Sequence, residues 1–392
     1  MNEHAKPSGF YSADACSLSD FKDLLARQTT PKHVPLATSI DKNIPVYDMT
    51  VLRPMLEAQG GRAQLMAEWA RAFQYGAGVI VLQHAYEATD AIDAASNVFK
   101  GIIAAEKEQA GGGADHFAAA GNNDRIWNSL QKLCLTAPET HVDYFANPAI
   151  DAACESWLGP NYQMTAQVNL VRPGGQAQQA HRDYHLGFQT ADTAGQYPTH
   201  VHDLSPLMTL QGGIAHCDIP IDSGPTKLLP FSQMFQSGYM AWRRDDFRSV
   251  FEEEHVQLAL SKGDALFFNP ALFHAAGENR SRDIHRLVNL LQVSSAFGRA
   301  MEKIDRSAMC RAAFPAFSAA WQAQKLSDAG LSAAIAATAE GYPFPTNLDT
   351  DPPVGGLAPQ SQAELLHEAV RDRWIFDEFD TALVAQANKQ KA

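Results

Sequence analysis

Cysteine is scarce and poorly placed for bridging. The 392-residue chain holds five, at Cys16, Cys134, Cys154, Cys217 and Cys310, with no Cys-x-x-Cys pair among them. An odd, dispersed set argues against a disulfide framework and against a structural zinc site, and it fits free thiols in a reducing compartment. Long apolar runs are also missing. No stretch approaches about 18 consecutive apolar residues, so no membrane span is expected. The opening residues, MNEHAKPSGFYSADAC, lack a basic segment followed by an apolar one. No secretory signal is therefore read there, and the expected location is cytoplasmic. Positive charge is in deficit, with a formal net charge of −13. A nucleic-acid surface would read basic, so nucleic acid is not an expected partner. Internal repeats and low-complexity tracts are absent too.

What is present is a composition able to bury a core, 45% hydrophobic and 19% charged. Its length suits one large domain with additions at its ends. Residues 1–50 are polar and proline-punctuated and read as an irregular arm. Leu65, Trp69, Ala72 and Phe73 recur at helical spacing within 62–75. The first segment is therefore 1–75, an arm and helix packing on the core. GAGVIVLQHAY (76–86) reads as a buried strand, and 87–109 as a helix ending near the glycines at 111–113, which read as a loop. From about 163 to 294 short β-type runs recur between turn residues: TAQVNLVR, MTLQGGIAHCDI, PTKLLP, VQLAL, ALFFN and RLVNLLQVS. Many short strands without long intervening helices predict an all-β sandwich or barrel, here 76–300. Residues 301–392 read as a helical C-terminal extension, its last helix opened by a capping box at Ser361 and Glu364. Trp127, Trp157, Trp242, Trp321 and Trp374 read as core anchors.

HRDYH (181–185) concentrates the chemistry. In an extended segment residues i and i+2 project the same way, so His181 and Asp183 share a face. An imidazole and a carboxylate are two of the three ligands that non-haem Fe(II) oxygenases use, and a distant histidine is the third. The bland alternative is a polar turn in which Asp183 caps an amide. His274 is the best third candidate: it follows the buried run ALFFN and precedes the polar loop AGENRS. In the next run, Arg286, Val288, Leu290 and Gln292 alternate onto one face. A buried arginine needs an anionic partner. Its planar guanidinium suits a carboxylate, whether of a dicarboxylate co-substrate such as 2-oxoglutarate or of an internal Asp or Glu. His185 reads as sharing the Asp183 face, as an orienting donor, a substrate contact or a packed histidine. His200 and His202 read as loop residues at a rim or surface, and His216 as a core histidine.

Taken in order, His181-x-Asp183, SGPTKLLPFSQ (223–233), FHAAGENRS (273–281) and Arg286 resemble the phytanoyl-CoA dioxygenase family over about 75–300. The resemblance implies a double-stranded β-helix (jelly-roll, cupin-like) core with flanking helices. It implies that His181, Asp183 and His274 bind Fe(II), and that Arg286 binds the distal carboxylate of 2-oxoglutarate. It also implies co-substrate contacts from Gln167 and Asn169 on the preceding strand and from Thr226 after the Gly-Pro turn. The implied reaction couples O2 and 2-oxoglutarate to oxidation of a small molecule, releasing succinate and CO2. Iron halogenases of the superfamily carry Gly or Ala at the carboxylate position, so Asp183 favours hydroxylation. The sequence departs from the family pattern twice. Gln233 stands where the family has histidine, and the family's arginine position, eleven residues after the distal histidine, holds His285. Arg286 is one residue further, and Arg282 is the alternative.

Two rival readings remain open at this level. One is a non-catalytic jelly-roll metal-binding or scaffold protein, which predicts Arg286 paired inside the chain. The other is a zinc hydrolase on a cupin-like barrel. The N-terminal arm and the C-terminal extension are expected to cover the barrel mouth or to form a homodimer contact.

Overall fold

The computed structural model describes residues 9–58, 60–110, 123–343 and 347–391. Ten strands are present among them: β1 Ser39–Asp41, β2 Ile44–Asp48, β3 Val79–Gln83, β4 Asn123–Ile126, β5 Gln163–Val171, β6 Thr209–Ala215, β7 Lys227–Leu229, β8 Ala265–Phe268, β9 Phe273–Ala275 and β10 Arg286–Ser294. Eight form one sheet in the order β1-β2-β3-β8-β6-β10-β5-β4, and β7 pairs with β9 in a second. The large sheet is mixed: β2 and β3 run parallel, while β3/β8 and β6/β8 run antiparallel. β6 and β8 are buried along their whole length. That explains why they read as continuous apolar runs rather than as alternating ones.

The chain divides into two compact units. The first takes the described residues up to Glu87, residues 123–124 and Asn169–Leu290; the second takes the described residues of 88–110, Arg125–Val168 and those from Leu291 on. In the first, one apolar cluster gathers Ile44, Val46, Val79, Val81, Leu266 and Phe268. Another gathers Phe21, Tyr239, Phe247, Phe251 and Phe273. The second is mainly helical. Arg306–Gln322 and Asp328–Thr338 both pack on Pro138–Phe145, and Gln362–Arg371 packs on Arg306–Gln322. The capping box at the start of Gln362–Arg371 forms as expected, Glu364 N donating to Ser361 Oγ at 3.1 Å and Ser361 N to Glu364 Oε2 at 2.7 Å, but this is not the last helix: Phe376–Lys389 follows it. No helix of the described residues is long and apolar enough to cross a membrane.

Several expectations need correction. The N-terminal 50 residues are not irregular throughout. Leu18–Leu25 is a helix capped by Ser17, with Phe21 fully buried, and β1 and β2 join the large sheet. Pro45 lies in β2, opposite Ile40 of the edge strand β1, a position where a missing N–H is tolerated. VQLAL makes no strand and contributes only single bridges, Val256 to Leu228 and Leu260 to Ile219. Of the five tryptophans read as anchors, Trp242 is buried and the other four are half-buried. Arg125 lies over Trp127 and Arg371 over Trp321. The glycines at 111–113 lie outside the described residues.

Candidate metal centre

The backbone brings two histidines side by side. His181 and His274 are an antiparallel bridge pair that exchanges both N–H···O bonds, at 3.0 and 3.2 Å. Directly opposed residues project to one face, and here the ring centroids are 4.4 Å apart. On its other side His274 is registered with Leu228 of β7. The 181–183 segment is extended, and Asp183 N donates to Pro270 O at 3.1 Å, so the carboxylate falls on the same face two residues on. The ligand atoms of His181, Asp183 and His274 all lie within 4.8 Å of one another, and this is the one such group of three among the described residues. His274 Nε2 is 3.3 Å and His181 Nε2 is 3.7 Å from Asp183 Oδ2.

The tautomers follow from the hydrogen bonds. His181 Nδ1 contacts Gln179 O at 2.9 Å and His274 Nδ1 contacts Leu272 O at 2.8 Å. A carbonyl can only accept, so each Nδ1 carries the hydrogen and each Nε2 offers its lone pair when the ring is neutral. Both lone pairs face the same carboxylate oxygen. Burial alone would raise the Asp183 carboxyl, but His181 and then His274 hold it well below the usual carboxylate range. Burial alone would lower His181, and the Asp183 carboxylate outweighs it, so this ring is raised. His274 is lowered by burial and by His181 beside it. Two imidazole nitrogens and a carboxylate fit one divalent ion of the kind taken by N/O sites, with coordination positions to spare. His181 and Asp183 keep about a fifth of their side-chain surface open, whereas His274 is sealed.

Arg286 is buried at the start of β10 and Arg282 is exposed, which separates the two arginine candidates. Arg286 Nη1 donates to Ser223 O at 2.8 Å and to Gly277 O at 3.2 Å. Gly224, with φ +74°, lets these chain segments meet; a Cβ there would lie 2.2 Å from Glu278 O. Among the described residues no carboxylate comes within 4.0 Å of this guanidinium. Burial lowers it to about 10, so it stays charged at neutral pH. Asn169 is buried on β5, and its Oδ1 has no hydrogen-bond partner among the described residues. Thr226 is half-buried just ahead of β7. Gln167 lies in the second unit, where it accepts from Arg125 Nη1 at 3.2 Å and hydrogen-bonds Glu302.

Other histidines take different places. Tyr184 and His185 have positive φ, 63° and 39°, so the extended run ends there and a 3-10 turn begins. His185 therefore does not continue the Asp183 face; its Nδ1 meets Ser205 Oγ at 3.1 Å. His200 and His202 belong to the helix Thr199–Leu207 rather than to a loop, because Pro198 sets up a helical N-terminus. His200 is exposed, and His202 is buried against Ala194 O. His216 is buried just past β6. Two residues escaped sequence reasoning. Gln211 of β6 donates from Nε2 to Asp183 Oδ2 at 2.5 Å; a glutamine inside the mostly apolar run TLQGGIA was the signal available. Arg182, between the two ligand candidates, is buried although it is charged.

Comparison with known proteins supplies the remaining findings. A family model described as "Phytanoyl-CoA dioxygenase (PhyH)" matches residues 65–287, more than half of the chain. Dioxygenase andF of Emericella variicolor is 25% identical over 161 residues, 39% of this chain and 50% of that protein. Dioxygenase trt7 of Aspergillus terreus is 27% identical over 158 residues, 40% of this chain and 49% of that protein. The chain thus spans about half the length of the curated relatives it matches. Among solved structures, the non-heme alpha ketoglutarate dependent epimerase SnoN from nogalamycin biosynthesis overlays at 17% identity with a TM-score of 0.41, covering 60% of this chain and 82% of that one. EvdMO1 overlays at 16% identity and a TM-score of 0.42, covering 59% and 50%.

Proposed function

Because the chain belongs to the phytanoyl-CoA dioxygenase family, whose members depend on Fe(II) and 2-oxoglutarate, we propose that it is a dioxygenase that hydroxylates a small-molecule substrate. The observation that carries this reading is the convergence of two imidazole Nε2 atoms, neither bonded to the backbone, and one carboxylate oxygen within 4.8 Å. His181, Asp183 and His274 would hold the iron. When bound, iron supplies oxygen activation. One oxygen atom enters succinate as 2-oxoglutarate loses CO2, and the other enters the substrate C–H bond as a hydroxyl group. The chain's own residues orient the reactants. Arg286, charged, buried and without a carboxylate among the described residues, would take the distal carboxylate of 2-oxoglutarate in a two-pronged contact. Asn169, with unmet hydrogen-bonding capacity, and Thr226 would complete that pocket. Gln167 is engaged at both ends, so its role would run through Arg125 and Glu302. Gln211 would keep the Asp183 carboxylate turned toward the histidines. We read the fold as the family's double-stranded β-helix, with the large sheet and the β7–β9 pair as its layers.

The test is an anaerobic absorbance titration of metal-free protein with Fe(II) and then 2-oxoglutarate. A weak visible charge-transfer band that needs both additions, and is lost in His181→Ala, is the expected result. Bound iron without that band would overturn the proposal and leave a metal-binding scaffold. Oxygen-independent activity supported by zinc would turn the reading to a hydrolase.

A further inference from the structure

Arg182 is an unusual residue to find in this core. It is 2% exposed, and burial lowers its guanidinium to about 10. Among the described residues no carboxylate pairs with it. A buried cation without an acid is costly, and an apolar side chain of similar volume commonly does as well or better for stability. Its contacts are directional. Nη2 donates to Ser232 O at 2.6 Å and to Phe235 O at 3.0 Å. The guanidinium carbon lies 5.1 Å from the ring centres of both Tyr239 and Phe273. Gly238 admits it: a Cβ there would sit 2.0 Å from that carbon.

These contacts reach both ligand-bearing segments. Arg182 alternates with His181 and Asp183, so fixing its plane fixes the twist of the segment that carries them. Phe273 is the residue before His274, and its N–H donates to Ser232 Oγ at 2.8 Å. Ser232 thus holds the Arg182 head through its carbonyl and the His274 strand through its hydroxyl. On the reading of the preceding section, we infer that Arg182 is a positioning residue for the metal centre: its buried, planar head holds the His181–Asp183 segment and the His274 strand in the mutual orientation that metal binding needs.

The experiment uses the full chain with Co(II) as a spectroscopic stand-in for iron. Thermal midpoints are recorded without metal, and Co(II) is titrated while its visible ligand-field bands are followed. Arg182→Lys keeps the charge but lacks the planar fork. It is expected to bind Co(II) about 10–100-fold more weakly, with displaced bands, as when an orienting partner of a metal ligand is lost. Gly238→Ala, which pushes the native guanidinium aside, is expected to act in the same direction and serves where the lysine variant does not fold. A folded variant of either kind with wild-type affinity and bands, whatever its midpoint, overturns the inference and leaves Arg182 a packing residue. Failure of the wild-type chain to bind Co(II) or Fe(II) is a different result, because it overturns the metal-centre reading itself.

Discussion

Both units bury histidine, and Arg306 of the second is half-buried where Arg286 of the first is buried; among the described residues only the first brings two histidines and a carboxylate together. In the first unit His181 and His274 donate from Nδ1 to backbone carbonyls, so each neutral ring turns its Nε2 lone pair toward Asp183. In the second, His141 is fully buried and takes the opposite tautomer. The Thr338 hydroxyl donates to Ala334 O at 2.7 Å, so it must accept from His141 Nε2 at 2.8 Å. That leaves Nδ1 bare, without a partner among the described residues and with Phe145 against the ring. The arginines differ likewise. Arg306 donates to Met164 O at 2.9 Å and Ala337 O at 3.2 Å and feels the charge of Glu340, whereas Arg286 has two carbonyls and no acid among the described residues. Burial of polar residues is common to both units. What distinguishes the first is imidazole nitrogens that converge on a carboxylate and a buried cation with no acid among the described residues.

The largest test of that contrast removes one histidine from each unit. His274→Ala is expected to weaken Co(II) or Fe(II) binding more than about a hundredfold, beyond the loss of a mere supporting partner. His141→Gln, in the same titration, is expected to leave the affinity at the wild-type value. Weakened metal binding in His141→Gln would break the contrast.

A smaller effect separates the arginines. Arg286→Ala is expected to cost about 2–5 kcal/mol in 2-oxoglutarate binding, tens to thousands of fold in Kd, the range for truncating one partner of a buried charge pair. Metal affinity is expected to stay intact. Arg282→Ala, on an exposed side chain, is expected to change neither. Calorimetric titration of the metal-loaded protein under anaerobic conditions reads both. Equal losses in the two variants would mean that the buried position of Arg286 does not decide the register.

The two units also differed in how far they could be read in advance. His181 and Asp183 were legible because two-residue spacing in an extended segment is a strictly local rule. Alternation along RLVNLLQVS set Arg286 on a face with Val288, Leu290 and Gln292; Arg286 and Gln292 are buried there, whereas Val288 and Leu290 are half-buried. His274 needed only the buried run before it. Gln211 and Arg182 were not legible, since their meaning lies in partners far along the chain: Asp183 for one, Ser232 and Phe235 for the other. His185 was misplaced because nothing local announces positive φ at Tyr184 and His185. The strand β2 was hidden by Pro45, whose cost depends on a neighbour unknown from sequence. In the second unit helices and a cap were readable, but the His141–Thr338 pair spans about two hundred residues and carries no local signature.

Near neutral pH the smallest effect is a proton-linked one at that pair. Burial, with Arg306 nearby, lowers His141 to about 3, while in the unfolded chain an imidazole titrates near 6.5. Between those values the unfolded state binds a proton that the folded state refuses. Stability therefore falls as pH drops below about 6.5, by up to about 1.4 kcal/mol per pH unit, and the loss levels off below about 3. Above about 6.5 this histidine contributes no slope. Other groups titrate in the same window, so the quantity to measure is the difference in urea-unfolding free energy between wild type and His141→Gln as pH is lowered. The difference is expected to shrink steadily with acid, because the glutamine chain lacks the proton-linked loss. A difference independent of pH would mean that His141 is protonated in place, and that the second unit tolerates a buried imidazolium beside Thr338.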